Sequence, residues 1–310
     1  MMNAPDHNPN EPYPDLRGAF KLTVLAIVAA AFTSIAFLDF GMLAAVGIGQ
    51  AIGLGAVATM GAKRVAEPQA QRLGLQPLDV RMIPIILCMA PAVLLASEFD
   101  QWAIDFSGPS EQIESTTEIG FDDTLEDDAT EQESPTEPDS IEQLINPEDP
   151  WSLLAAFVVM VGISPVVEEF LFRGVIQQGL VQRMGLVRGV TVVAILWTLL
   201  RPAPVTGFTR FLAAAIASFG LGWALGIVRI ATASILGSIL LASSWAAIGL
   251  AALAVKGSLN LPGMNIEGSH LPWSITLASV GLVAWAGRTL FQEAEQRVRS
   301  SHLESANPSD

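Results

Sequence analysis

The chain is poor in the residues that soluble enzymes and disulfide scaffolds rely on. Of its 310 residues one is cysteine, one tyrosine and three histidine, and 15% are charged. The lone Cys88 excludes an intrachain disulfide, and in its apolar run it reads as a soft core residue. The histidines are His7 and His302 in the polar tails and His270 in a loop beside Leu271-Pro272. Each is expected at a solvated surface. Without His or Cys nearby, two carboxylates make a poor zinc site, so no metal or other cofactor is expected. Basic residues are few, 16 Lys and Arg, with no basic patch interleaved with aromatics, so the chain does not read as a nucleic-acid binder.

Apolar sequence fills the space. Hydrophobic residues make up 51% of the chain and the mean hydropathy is +0.47, beyond the range of an ordinary soluble domain. A bilayer-crossing helix needs about 20 apolar residues. Runs near that length lie at 19–38, 41–61, 81–97, 151–172, 187–201, 208–228, 233–254 and 272–291, the fifth being the weakest. The expected fold is therefore all-α, a polytopic membrane bundle of about eight transmembrane helices. The first run starts late, lacks a clean small-residue cleavage site and is followed by another span, so it reads as an uncleaved anchor.

The net charge of −15 belongs to one segment. Residues 98–149 hold 18 of the 31 acidic residues and no Lys or Arg, and the rest of the chain is slightly basic. Five regions follow: a disordered tail (1–18), three membrane helices (19–97), an acidic disordered loop (98–150), a membrane core (151–291) and a second tail (292–310). Arg17, Lys21, Lys63, Arg64, Arg72, Arg81, Arg183, Arg188, Arg229 and Arg288 fall on one side of such a bundle. By the positive-inside rule that side is cytoplasmic and holds both termini. Arg210 and Lys256 fall on the other side. A bacterial inner membrane is the expected location.

One stretch breaks the apolar pattern: SPVVEEFLFRG, residues 164–174. Ser164-Pro165 reads as a helix start or kink. Glu169 and Arg173 are four apart and share a helix face. Glu168 lies about 100° away around the axis. A charge in the membrane interior costs about 2.5–3.5 kcal/mol on insertion scales, so three together need a reason. The plain one is a buried ion pair that locks helices, with the second Glu near the headgroups. The functional one is a carboxylate kept in a cavity for proton, ion or water chemistry.

EEFLFRG resembles the EExxxR motif of the CPBP family, the CAAX proteases and bacteriocin-processing enzymes. These are intramembrane endopeptidases with a multi-helix fold. Pro165 before the acidic pair, Phe170-Leu171-Phe172 within the motif and Gly174 after it extend the resemblance, which covers roughly residues 150–290. It implies that Glu168 activates the attacking water, with Glu169 and Arg173 as the other motif residues. A positioned carboxylate suits such general-base work.

The rest of the family pattern is missing. The second motif, FxxxH, falls without a gap on Trp197-Thr198-Leu199-Leu200-Arg201, so Arg201 replaces the histidine. The third, HxxxN or HxxNN, falls on Ala242, Trp245 and Ala246, of which the alanines carry no polar side-chain group and Trp only a donor. Arg201 has two readings. It reaches Glu168, which fills the space a nucleophilic water needs, or it snorkels to the outer surface. A rigid count of depth puts the two residues toward opposite sides, whereas the family alignment brings them together.

The resulting expectation is a catalytically impaired relative of CAAX-type endopeptidases. It keeps a cavity for a hydrophobic peptide or lipidated protein segment within the lipid bilayer. Two alternatives stand beside it. One is an active endopeptidase with a rebuilt site, Glu168 as base and Arg201 as electrostatic clamp. The other is a transporter or scaffold, although paired broken helices in two halves, a pointer to transporters, are not evident.

Overall fold

The structure is a computed structural model that describes residues 12–107, 145–201, 207–266 and 268–306. Seven helices are long and apolar enough to cross a bilayer: α1 (Leu16–Ala36), α2 (Met42–Ala62), α3 (Val80–Phe106), α4 (Pro150–Met184), α6 (Phe208–Thr232), α7 (Ile235–Ala254) and α8 (Trp273–Ser300). The shorter apolar helix α5 (Leu186–Thr198) lies between α4 and α6. The described residues thus form an all-α bundle, as the apolar runs predict. In lipid, helices satisfy their own backbone groups, which is why the runs adopt this form. Helix starts are capped where the chain leaves the apolar phase. Asp15 accepts from the Gly18 amide, and Asp149 accepts from Trp151 with Pro150 in the first turn.

Three expectations need correction. Residues 98–107 are not the start of an acidic loop, because the helical stretch Ala92–Ser107 carries α3 through them. Their polar side chains line one helix face and bond to a neighbouring loop. The rest of the acidic segment, 108–144, lies outside the described residues. The N-terminal tail also ends earlier than expected: Arg183 Nε donates to the Pro12 carbonyl at 2.8 Å, and Gln178 donates to that of Tyr13. At the other end α8 continues past 291 as helix, through the first part of the expected tail.

Ser164-Pro165, read as a start or kink, does not begin a new span, since α4 continues through it, but it marks where the π-helical turns give way to α-helix. Proline removes an N–H and clashes with the carbonyl four residues back, here Val161. Two features absorb this. The preceding turns, Phe157–Ile163, are π-helical, a local widening that proteins use within α-helices. In addition, Ser243 Oγ on α7 donates to the Val161 carbonyl at 2.8 Å. A second π-helical stretch, Phe170–Ile176, carries Arg173.

Helix α6 is the hub, packing against α3, α5, α7 and α8. Small residues let its neighbours come close. A Cβ on Gly222 would stand 2.8 Å from the Trp197 ring of α5, and one on Gly226 would stand 2.7 Å from Val190. The α6–α7 turn is tight, with Ala233 in the left-handed region (φ 55°), uncommon for a residue other than glycine. The loop after α2 pins this turn: Ser234 Oγ donates to the Gln76 carbonyl at 2.6 Å, and the Ile235 amide donates to that of Gly74 at 2.9 Å.

Candidate functional site

All three charges of the opening motif are buried. Glu168 is 4% exposed, Glu169 1% and Arg173 0%. Helix geometry sends them two ways. Glu169 and Arg173, one turn apart, pair with each other, Oε1 to Nη1 at 2.9 Å. Arg173 also donates through Nη2 to the Gly222 carbonyl at 2.8 Å. Four residues on, Gln177 Nε2 donates to the Gly226 carbonyl at 2.7 Å. Residues 169, 173 and 177 thus form a polar seam against the glycine face of α6. Gln177 was not singled out from the sequence, although its four-residue spacing from Arg173 was the available signal.

Glu168 faces α5 instead. Its Oε2 accepts from Trp197 Nε1 at 3.1 Å and from Arg201 Nη2 at 2.8 Å. The ion-pair reading of Arg201 is therefore the one the structure shows. The structure makes the contact that a rigid depth count argued against, from a residue just past the end of α5. Arg201 is not fully withdrawn from the surface, since 42% of its side chain is exposed, against 5% for Glu168. Its guanidinium carbon stands 4.2 Å from the centre of the Trp197 ring, and that of Arg173 stands 5.0 Å from it. Both distances suit cation–π attraction. Trp197, which read only as a mild replacement for Phe, thus touches Glu168, Arg173 and Arg201. The signal for this was present: an indole needs a partner for its N–H when buried.

The positions of the third motif do other work. Trp245 Nε1 donates to the Met89 carbonyl at 3.2 Å, and Ala242 packs against the core. The described histidine, His270, does not stand in for the missing ones. His270 is part-exposed, as a surface position implies, but bonds at both ring nitrogens to Glu98 and Asp105 of α3. Its partners are not those of Glu168. His7 and the side chain of His302 lie outside the described residues.

Chemically, the arrangement is a carboxylate with one oxygen filled. An oxygen of an ionised carboxylate offers about two acceptor sites, and both sites on Oε2 are taken, by an indole and a guanidinium. An apolar groove of about 390 Å³ lies between α3, α6 and α8, lined by residues that include Met89, Phe99, Leu221 and Val283. Glu168 does not line it. Gly220, Leu221 and Trp223 contribute to the groove, while Gly222 between them gives its carbonyl to Arg173, so α6 separates groove from charges.

No curated protein and no solved structure matches the chain. A family model described as Type II CAAX prenyl endopeptidase Rce1-like matches residues 150–248. That stretch, about a third of the chain, contains Glu168, Glu169, Arg173, Trp197 and Arg201, and over it the chain is similar to that endopeptidase family.

Proposed function

We propose that this is a CAAX-endopeptidase relative whose proteolytic site is closed by its own Arg201, leaving a membrane protein that binds a hydrophobic peptide or lipidated segment without cleaving it efficiently. The observation that carries the reading is the double occupation of Glu168 Oε2 by Trp197 and Arg201. A general base must come within about 2.6–3.2 Å of the water it activates, and at Oε2 of Glu168 a guanidinium stands at that distance. The apolar groove between α3, α6 and α8 is the candidate seat for the bound segment. The positive residues at one end of the bundle support a cytoplasmic placement of both termini, in a bacterial inner membrane.

The test is cleavage of a farnesylated peptide ending in a CAAX box by purified protein in nanodiscs, beside Glu168→Gln. Equal, background rates support the reading, and cleavage that disappears in Glu168→Gln overturns it. A photoreactive farnesyl group on the same peptide should cross-link to groove residues such as Phe99 or Leu221; cross-linking elsewhere alone would move the binding site. The 42% exposure of Arg201 favours one competing reading, in which the side chain swings aside to act as an electrostatic clamp. Under that reading Arg201→Ala abolishes cleavage instead of leaving it unchanged or raising it.

A further inference from the structure

The end of the bundle that carries Arg210 and Lys256 holds a second polar cluster, independent of Glu168. Helix α3 presents Ser97, Glu98, Gln101 and Asp105 toward the loop that joins α7 to α8. Ser97 Oγ donates to the Gly263 carbonyl at 2.5 Å, and the Gly268 amide donates to Gln101 at 2.7 Å. The Leu271 amide donates to Glu98 Oε2 at 2.9 Å. His270 lies between two carboxylates, Nδ1 2.7 Å from Glu98 Oε1 and Nε2 2.8 Å from Asp105 Oδ2. Met264, Asn265 and Ile266 of the same loop wall a groove of about 310 Å³ with Asp100 and Arg210.

We propose that His270 is a proton-operated latch on this loop. Protonated, it bridges Glu98 and Asp105 and holds the loop against α3 beside the groove. Neutral, it keeps only one of the two bonds, and the loop loosens.

The argument is one of donors. Ionised carboxylates only accept, so two short contacts require two ring N–H groups, and imidazolium alone has two. Neutral imidazole must surrender one partner. Asp105 is the weaker, being 56% exposed against 9% for Glu98. The charged groups acting on the ring are Glu98 and Asp105, both from α3; among the described residues none of α7 or α8 does so. Asp100 is turned to Arg210, 3.2 Å away. The hydrogen bond that the ring donates to Asp105, then the one to Glu98, raises the His270 pKa above its ordinary value. The sign follows. A raised folded-state value means the latch contributes fully below the ordinary histidine pKa of 6.5 and is lost as pH rises through the raised value.

The experiment uses the full chain in nanodiscs with ¹³C-labelled histidine. Three resonances are expected, from His7, His270 and His302, and the one lost in His270→Gln belongs to His270. Asp105→Asn, at an exposed position, is a second variant that should lower the His270 midpoint without disturbing the fold. Amide exchange at Gly268 and Leu271, corrected for the intrinsic pH dependence, reports the loop. The proposal expects His270 to titrate above the other two histidines. It also expects protection at both amides to fall with that midpoint, by at most about tenfold per pH unit, the limit for one proton. A His270 that titrates with the other two, or protection that stays flat through its titration, overturns the latch.

Discussion

Replacing Arg173 by methionine should be the most damaging single change in the core. The side chain is 0% exposed and its partner Glu169 1%, with 2.9 Å between them. Methionine fills much of the volume but leaves the Glu169 carboxylate buried without its cation. Breaking a buried pair from one side costs about 3–5 kcal/mol, because the remaining charge is uncompensated. The Gly222 carbonyl also loses a charged donor, while its helical bond is untouched. Removing both charges, as in Glu169→Gln with Arg173→Met, leaves no such charge, so the double variant should be more stable than Arg173→Met alone. The assay is equilibrium unfolding in mixed micelles with rising SDS fraction, followed by the fluorescence of the seven tryptophans. Arg173→Met costing under about 1 kcal/mol would refute the reasoning. So would a double variant whose cost equals the sum of the singles, since residues in contact should show coupling.

Two further outcomes follow from packing and charge. Gly222→Ala places a methyl 2.8 Å from the Trp197 ring, whereas Gly220→Ala meets nothing within 4 Å. The first should cost about 1–3 kcal/mol as overpacking and the second within about 0.5 kcal/mol; equal effects in the same unfolding assay would contradict the α5–α6 contact. In a Cys88→Ser background, a membrane-impermeant maleimide on intact cells should label Ser258→Cys and spare Gln71→Cys, and the reverse pattern would invert the proposed topology.

Much of this architecture was legible in the sequence because lipid imposes a simple rule. Apolar runs of sufficient length become helices: seven of the eight expected spans are long enough to cross a bilayer, and the fifth, the weakest run, gives only the shorter α5. The Glu169–Arg173 pair was legible for a similar reason, since four-residue spacing fixes a shared face. What sequence alone did not yield was the shape of α4. A π-helical turn has no residue signature, so Pro165 read as a boundary although Phe157–Ile163 and Ser243 let the helix pass through it. The same irregularity limits any rigid depth count, which set Arg201 apart from Glu168. The polar face of α3 was missed for another reason. Glu98, Gln101 and Asp105 have helical spacing, but their charges were absorbed into the acidic run that follows, and His270 then had no visible partner.

The central claim is that Arg201 closes the site around Glu168. It is tested most directly by comparing farnesyl-peptide cleavage by the wild type, Glu168→Gln and Arg201→His in the same nanodiscs. The account predicts that the wild type matches Glu168→Gln at background, and that Arg201→His, which removes the guanidinium, is no lower than the wild type. Glu168-dependent cleavage by the wild type that Arg201→His destroys would contradict it, and would make Arg201 part of a working site.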